Sequence, residues 1–333
     1  MRTNLQGLRA LAAVGVVVFH VGLLPATAMP FRIGAAGVDL FFVLSGYIIA
    51  YSATRNAQHF LAHRLIRVIP AYWIATILAA LFTLQAMDPA GASGWLIQSL
   101  FYLPGPGGRP ALIFVGWTLV YELAFYLLYW IALRFGTSRA PIVALAPLVA
   151  LALVPVPRMP GPWPLLLEFA LGLGIYLLAE RGRFPDRLAG PPGLLLSGAG
   201  LILLLAIPRL TGYDPDDYQS LDRVLCWGLP ATAIILGLVA AERGGLAIRS
   251  KLVLRLGAAS YAIYLLHPIA IGQLLWLAPE RPPVTWLLCL LATAVTVAIA
   301  VGFHMAIEAP LVRRLRRLMR DRPPVAQRTE RTA

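Results

Sequence analysis

Long apolar stretches constrain this chain more than any other feature. Ten of them follow one another between charged or Pro- and Gly-rich breaks, and most approach the roughly 20 residues that a helix needs to cross a bilayer. Hydrophobic residues make up 59% of the chain and charged residues only 13%, which excludes an ordinary soluble domain. Stretches of this length form helices in lipid, because a helix satisfies its backbone polar groups internally. We therefore predict an all-α, polytopic membrane helix bundle with about ten transmembrane helices.

The positions of these stretches define the predicted spans. The first has an alternative interpretation as a cleaved secretory signal, because Ala26-Thr27-Ala28 resembles a cleavage site. We favour a retained first span, since its removal would break the even number of spans that keeps both termini on one side. The predicted spans are roughly 9–27, 34–53, 67–87, 113–133, 140–156, 163–179, 192–208, 224–241, 258–277 and 284–307.

The distribution of basic residues predicts the orientation of the bundle. If the N-terminus is inside, 22 of the 28 Lys and Arg residues fall on inner segments and six on outer loops. This bias follows the positive-inside rule and places both termini in the cytoplasm. The formal net charge of +13 is then a consequence of topology and requires no nucleic-acid partner. We divide the chain into a transmembrane domain, residues 1–312, and a basic, disordered cytoplasmic tail, residues 313–333, which lies against anionic lipid.

The first span carries two polar residues eleven positions apart, Arg9 and His20. A helix rises about 1.5 Å per residue, so these residues are separated by roughly 16 Å along the span. Arg9 then lies toward the inner face, whereas His20 lies past the midplane. A titratable group at that depth is costly in lipid and is a candidate functional residue.

Other ionisable groups form a predicted polar track across the bundle. Such groups face the bundle interior, a partner or water, because lipid does not solvate them. The alternative is that they only join helices through hydrogen bonds and ion pairs. In order of depth they are Asp39 and Glu168 at the level of His20, Glu122 and His267 near the midplane, and Arg64, Arg67, His304 and Glu308 at the inner edge.

Two arginines, Arg64 and Arg67, stand where the third span begins. Their i,i+3 spacing puts both guanidinium groups on one helical face. Two planar forks side by side suit phosphate groups, which they can bind bidentately. The alternative is ordinary positive-inside anchoring, and Pro70 marks either a kink or the start of a helix.

Asp39 is the predicted partner of His20. A carboxylate that accepts one imidazole N–H fixes the tautomer and raises the basicity of the other nitrogen. The sequence has no evident protein nucleophile, so we expect the nucleophile to be a hydroxyl group of the substrate. Ser45-Gly46, deeper in the same span, is interpreted as a site of close helix packing. We expect no metal site.

The loop from Arg209 to Arg223 is predicted to lie outside the membrane. It holds four Asp and two Tyr residues, a combination that suits sugar binding. A solvated turn has the same composition, so both interpretations stay open.

Six sequence blocks in fixed order carry a family resemblance. The chain resembles the membrane-bound acyltransferase family 3, the bacterial integral-membrane O-acetyltransferases that modify surface polysaccharides and related acceptors. The resemblance extends over nearly the whole chain. The blocks are LQGLRALAAVGVVVFH, GVDLFFVLSGYII, RLIRVIPAYW, GWTLVYELAFYLLY, SYAIYLLHP and HMAIEAPLVRR.

The resemblance implies an enzyme of the bacterial cytoplasmic membrane. Its donor would be cytoplasmic acetyl-CoA, or another acyl-CoA, and its acceptor a hydroxyl of an extracytoplasmic carbohydrate or small molecule. It would hold no permanently bound cofactor, and envelope biosynthesis proteins are candidate partners. The implied roles are donor binding for Arg64, Arg67, Tyr264 and His267, and catalysis for His20, Asp39, Arg9 and Glu122.

Alternatives to direct transfer stay open. Within the enzyme hypothesis, His20 either deprotonates the acceptor hydroxyl or carries the acyl group itself as a relay. We favour direct attack on a thioester that the pantetheine arm presents within the membrane. Two alternatives to an enzyme also stay open. The polar track is then the path of a transporter or flippase for a glycan, or the protein is a non-catalytic membrane sensor.

Overall fold

The computed structural model describes most of the chain as helix. Among the described residues there is no strand, which confirms the predicted all-α class. The alternative cleavage site at residues 26–28 and the last part of the predicted tail, residues 321–333, lie outside the described residues. The described segments are 2–23, 32–54, 57–85, 87–103, 108–153, 163–181, 184–214, 220–277 and 286–320.

Fourteen α-helices, numbered here in chain order, make up these segments. Two five-residue π-helical segments, Val224–Gly228 and His304–Glu308, join consecutive helices without interrupting them. The helices are α1 Thr3–Gly22, α2 Gly37–Ala53, α3 Phe60–Thr83, α4 Pro89–Leu100, α5 Trp117–Ala132, α6 Ala140–Leu153, α7 Leu166–Glu180, α8 Pro191–Thr211, α9 Leu221–Arg223, α10 Leu229–Arg243, α11 Lys251–Ala258, α12 Ser260–Leu277, α13 Trp286–Phe303 and α14 Ala309–Arg320.

The described helices account for all ten predicted spans, but with unequal lengths. Eight are long and apolar enough to cross a membrane, and a ninth span forms if α11 and α12 are counted together across their 67° bend. The remaining predicted span, 140–156, is the 14-residue helix α6, which is shorter than a full crossing. The short predicted span 192–208, in contrast, is the complete 21-residue helix α8.

Large apolar side chains cover the outside of the bundle. Leu195, Leu210 and Leu287 are 75%, 84% and 73% exposed, respectively. A soluble protein does not display many such side chains together, whereas a bilayer solvates them. The protein is therefore a multi-pass membrane protein.

Helix ends that were predicted to share the inner side do lie together. The Arg2 guanidinium donates to the Glu180 carboxylate at 2.8 Å, which joins the start of α1 to the end of α7. The backbone N–H groups of Thr3 and Asn4 each donate to Glu242 at 2.9 Å, at the end of α10. The start of α1 and the ends of α7 and α10 therefore lie at the same end of the bundle, as the predicted up-and-down order of the spans requires. The assignment of this end to the cytoplasm stays a prediction.

The basic C-terminal region continues the last span as a helix. The predicted disordered tail was taken to begin at residue 313, but α14 extends through Arg320 and packs against α3. Its apolar residues, including the buried Val312, explain this outcome, because they give the helix a face that packs against the bundle. Helix α3 is likewise continuous through Pro70, so Arg64 and Arg67 do lie one turn apart on one helix.

Helices α2 and α7 approach each other through glycines. A Cβ atom added to Gly46 would lie 2.2 Å from the Phe169 carbonyl oxygen, and one added to Gly172 would lie 2.1 Å from that of Val43. Small residues allow backbones to pack this closely in membranes, where van der Waals contact replaces the hydrophobic effect between helices. The interpretation of Ser45-Gly46 as a packing site is confirmed for its glycine.

We predict that Gly172→Ala destabilises the bundle by about 1–3 kcal/mol, because α2 must move away from α7. Gly174→Ala on the same helix is the matched control, since nothing lies within 4 Å of its added Cβ. Unfolding of the purified variants in mixed detergents measures both effects. Equal stability of the two variants would contradict the close-packing interpretation.

Candidate functional site

A small cavity inside the bundle brings together most of the predicted site residues. Its volume is about 120 Å³, and it reaches from the inner part of α3 to the first two turns of α12. A cavity of this size is small compared with typical ligand pockets of roughly 300–1,000 Å³. It therefore has room for only part of a substrate molecule. The predicted residues that line it are Arg9, Arg64, Arg67, Glu122 and Tyr264.

One face of α12 forms a polar row beside this cavity. Ser260, Tyr264 and His267 follow one another at spacings of four and three residues, which place them on the same helical face. Ser260 and His267 are fully buried. The Tyr264 hydroxyl lies 2.9 Å from the Thr118 hydroxyl, which fixes its position against α5. The row places three polar side chains along one face of a helix in the apolar bundle.

Helix α1 runs alongside this row and contacts it at both ends. The Nε atom of Arg9 donates to the Ser260 hydroxyl at 3.1 Å. Eleven residues further along α1, the His20 ring lies 4.7 Å from the His267 ring, measured between centroids. Arg9 and His20 thus belong to one polar line, although each stands at a different end of it.

The two histidines form a hydrogen-bonded pair. His20 Nδ1 lies 3.2 Å from His267 Nε2 and 2.9 Å from the Val16 carbonyl oxygen. A carbonyl oxygen can only accept, so Nδ1 of His20 carries the hydrogen and Nε2 of His20 keeps its lone pair. His267 Nε2 can then only accept, and it shares this one hydrogen with the Val16 carbonyl oxygen. This arrangement leaves one basic nitrogen on His20.

Arg64 and Arg67 each have a partner at the inner end of the cavity. Arg64 donates to the Ser52 hydroxyl, and its guanidinium lies near the Phe60 and Tyr126 rings. Arg67 forms an ion pair with Glu308, the last residue of the second π-helical segment. Both arginines also line the cavity, so the predicted shared face is confirmed.

Glu122 supplies the carboxylate of the cavity. It accepts a hydrogen bond from the Tyr126 hydroxyl one turn further along α5. The same cavity is lined by the three guanidinium groups of Arg9, Arg64 and Arg67. Because arginine stays protonated, the lining is positive overall, which favours an anionic or strongly polarised ligand.

The predicted hydrogen bond from the His20 imidazole to the Asp39 carboxylate is wrong. Both Asp39 carboxylate oxygens accept from Arg223, at 2.9 Å from Nε and 2.8 Å from Nη2. The two side chains are 0% and 1% exposed, so this is a buried, bidentate ion pair. The residue that contacts the His20 imidazole is His267. Equal depth in the membrane did not specify which way Asp39 points around its helix.

Arg223 is the residue that sequence reasoning placed least correctly. The sequence predicts it at the end of an outer loop, but its side chain is buried beside the Trp227 ring. Residues 215–219 of that loop lie outside the described residues. Arg223 begins the apolar run of the eighth predicted span, and an arginine in that position was the available signal.

Glu168 lies against the same ion pair and is fully buried. Gly228 faces it, and an added Cβ there would lie 2.9 Å from a Glu168 carboxylate oxygen. Gly228 ends the first π-helical segment, directly after the turn that carries Arg223. This cluster joins α2, α7 and the start of α10, which favours the interpretation of Asp39 and Glu168 as structural groups.

We predict that Asp39→Asn and Arg223→Gln each destabilise the protein by about 3–5 kcal/mol, because each leaves an uncompensated buried group. The double variant loses less than the sum of the two single changes, since neither charge then remains unpaired. Unfolding in mixed detergents measures the three variants. An Asp39→Asn protein that keeps its stability and loses only activity would instead favour a catalytic role.

Comparison with known proteins identifies the family. A family model described as an acyltransferase domain matches residues 2–304, nearly the whole chain. This is a membrane-bound acyltransferase of family 3. No solved structure matches the chain.

Relatives of this acyltransferase cover most of its length. It is 30% identical to the exopolysaccharide production protein ExoZ of Rhizobium meliloti, over 86% of this chain and 92% of that protein. It is 26% identical to the acyltransferase MdmB of Streptomyces mycarofaciens, over 97% of this chain and 94% of that protein. The peptidoglycan O-acetyltransferase OatA of Listeria monocytogenes is 27% identical, over 64% of this chain and 35% of that protein.

Proposed function

We propose that this acyltransferase moves an acetyl or other acyl group from cytoplasmic acyl-CoA to a hydroxyl of an extracytoplasmic carbohydrate or related acceptor. The observation that carries the proposal is the polar line across the bundle. It begins at the three arginines of the cavity, follows Ser260 and Tyr264, and ends at His20 and His267. The proposed site of action is the bacterial cytoplasmic membrane.

Charge and shape support the donor assignment. Arg64 and Arg67 provide planar, permanently charged forks that suit the phosphates of acyl-CoA. The small cavity that they line would take the thin pantetheine arm, which carries the thioester toward Tyr264. The Tyr264 and His267 ring centroids are 5.8 Å apart, so the end of this path lies beside the histidine pair.

The chemistry is direct acyl transfer with His20 as the general base. Nε2 of His20 takes the proton of the acceptor hydroxyl while that oxygen attacks the thioester carbonyl carbon. The new carbon–oxygen bond forms, the carbon–sulfur bond breaks, and the departing thiolate receives the proton from His20. His267 is a positioning residue, because it accepts the Nδ1 hydrogen of His20 together with the Val16 carbonyl oxygen and so orients the ring whose Nε2 is basic.

The acceptor class rests on the relatives. Their names concern exopolysaccharide production and peptidoglycan O-acetylation, both of which involve carbohydrate polymers. We extend this to a carbohydrate acceptor for the present protein, with a small molecule as the second candidate. The outer end of the polar line, at His20, is where such an acceptor would meet the thioester.

Transfer of labelled acetate from acetyl-CoA to isolated cell-envelope glycans tests the proposal. We predict that His20→Ala lowers kcat by about 100-fold or more, because the general base is lost. His267→Ala lowers kcat by about tenfold and alters the acidic limb of the pH profile, since the His20 imidazole loses one of the two acceptors that orient its Nδ1–H. His267→Gln restores part of the activity, because its amide oxygen can accept from His20.

If wild type and His20→Ala transfer equal amounts of labelled acetate to the glycan, His20 is not the general base. Label trapped on His20 after exposure to acetyl-CoA alone would favour the acyl-histidine relay over direct transfer. Unchanged pH profiles in both His267 variants would reduce that residue to a packing role.

A transporter or flippase is the second candidate, because a polar line across a bundle is also a path that a substrate could take. The two functions differ in what they require of Arg67. We predict that Arg67→Lys raises the KM for acyl-CoA about tenfold, because an ammonium group cannot replace a bidentate guanidinium. Glycan export from cells that survives this change, together with no acetate transfer by wild type, would favour transport.

A further inference from the structure

A second, larger cleft opens beside the inner end of the cavity. Its volume is about 590 Å³, within the roughly 300–1,000 Å³ of typical ligand pockets. It lies between the N-terminal turn of α3 and the C-terminal helix α14. Arg64 lines both this cleft and the small cavity, so its side chain lies between the two spaces.

The lining of the cleft is basic. His59, His63, Arg64 and Arg316 contribute to it, and no acidic side chain does so among the described residues. The His59 and His63 rings are 6.4 Å apart, so the two imidazoles face a common region. Arg316 makes no ion pair within the described part of the chain, unlike Arg67 with Glu308. The two arginines give the cleft permanent positive charge, which no acidic side chain of its described lining neutralises, and the imidazoles add hydrogen-bonding nitrogens, so the cleft favours the binding of an anion.

The backbone at His59 supports this interpretation. His59 has φ 56° and ψ 25°, in the left-handed region that residues other than glycine rarely adopt. It immediately precedes α3, so this conformation sets the direction in which the helix begins. Strained residues of this kind persist where the surrounding structure fixes them, and they concentrate at binding sites.

The two neighbouring spaces on either side of Arg64 differ in size and lining. The cleft is the larger and is lined by His59, His63 and Arg316, whereas the cavity is the smaller and extends to Tyr264. A molecule with a bulky anionic head and a thin arm matches both at once. Acyl-CoA has this shape, with a phosphorylated nucleoside at one end and a pantetheine thioester at the other.

We propose that Arg316, His59 and His63 form a subsite for the phosphate monoester on the donor's nucleoside. This inference rests on the proposed function, because it assumes an acyl-CoA donor. A monoester dianion makes charge-assisted hydrogen bonds with guanidinium and imidazole groups, whereas a donor without that phosphate leaves them unpaired. Helix α14 is then part of the donor site and selects donors that carry the additional phosphate.

The test compares two donors on the full-length protein in nanodiscs of phosphatidylcholine alone. Binding of acetyl-CoA and of acetyl-dephospho-CoA, which lacks the monoester, is measured by calorimetry. We predict that wild type binds acetyl-CoA about tenfold more tightly, and that Arg316→Gln removes this preference by weakening acetyl-CoA alone. Arg317→Gln is the matched control, because it removes the same charge from the next position of α14 and does not line the cleft.

His59→Asn provides a second variant that folds with the same backbone, because asparagine tolerates the left-handed conformation. It is expected to reduce the preference for acetyl-CoA severalfold. Equal binding of both donors by wild type would overturn the subsite and leave the donor assignment intact. No binding of either donor would overturn the donor assignment and the subsite together.

An anionic lipid headgroup is the other source of phosphate at this position. Nanodiscs that also contain phosphatidic acid distinguish the two sources. If lipid occupies the cleft, phosphatidic acid weakens acetyl-CoA binding to wild type and not to Arg316→Gln, and wild type shows no donor preference in neutral discs. That combination would contradict the proposal.

Discussion

The cost of placing charge in a bilayer organises this protein. Lipid offers no solvation for carboxylate or guanidinium groups, so each must face the bundle and find a partner or a polar space. Asp39 with Arg223 and Arg67 with Glu308 follow this rule as ion pairs that connect distant parts of the chain. The groups that line the internal cavity, Arg9 and Glu122 among them, follow it by facing a space for a ligand.

The same constraint gives the site its linear form. Two helices that run in the same direction, α1 and α12, contact each other through polar atoms at both ends of the line. In the proposed mechanism, donor binding and chemistry therefore occupy different depths and share a rigid scaffold. Such a separation suits a reaction that takes its donor from one side of a membrane and its acceptor from the other. Each substrate can then bind from its own side, and neither has to cross the membrane.

The helices and the order of polar residues along them could be predicted from the sequence, and direction around a helix could not. Hydrophobic lengths placed Arg9 and His20 at opposite ends of one helix, as the structure has them, because lipid restricts where polar groups occur. Asp39 stood at the level of His20 but faces Arg223, a partner 184 positions further along the chain. Arg223 follows a polar loop directly, and the sequence pattern therefore grouped it with that loop and not with the helix that begins beside it. Helix α14 was interpreted as a disordered tail, since its high charge obscured the apolar face that packs on α3.

The two π-helical segments set the angular position of the helices that come after them. An α-helix advances about 100° per residue, so the one additional residue of a π turn rotates the rest of the helix by that amount. The π-helical segment His304–Glu308 therefore rotates the helix that follows it. This rotation brings Glu308 against Arg67 and turns α14 toward the inner end of α3. Insertion or deletion of one residue in such a segment would rotate the following helix, so that a different face of that helix would pack against each neighbouring helix.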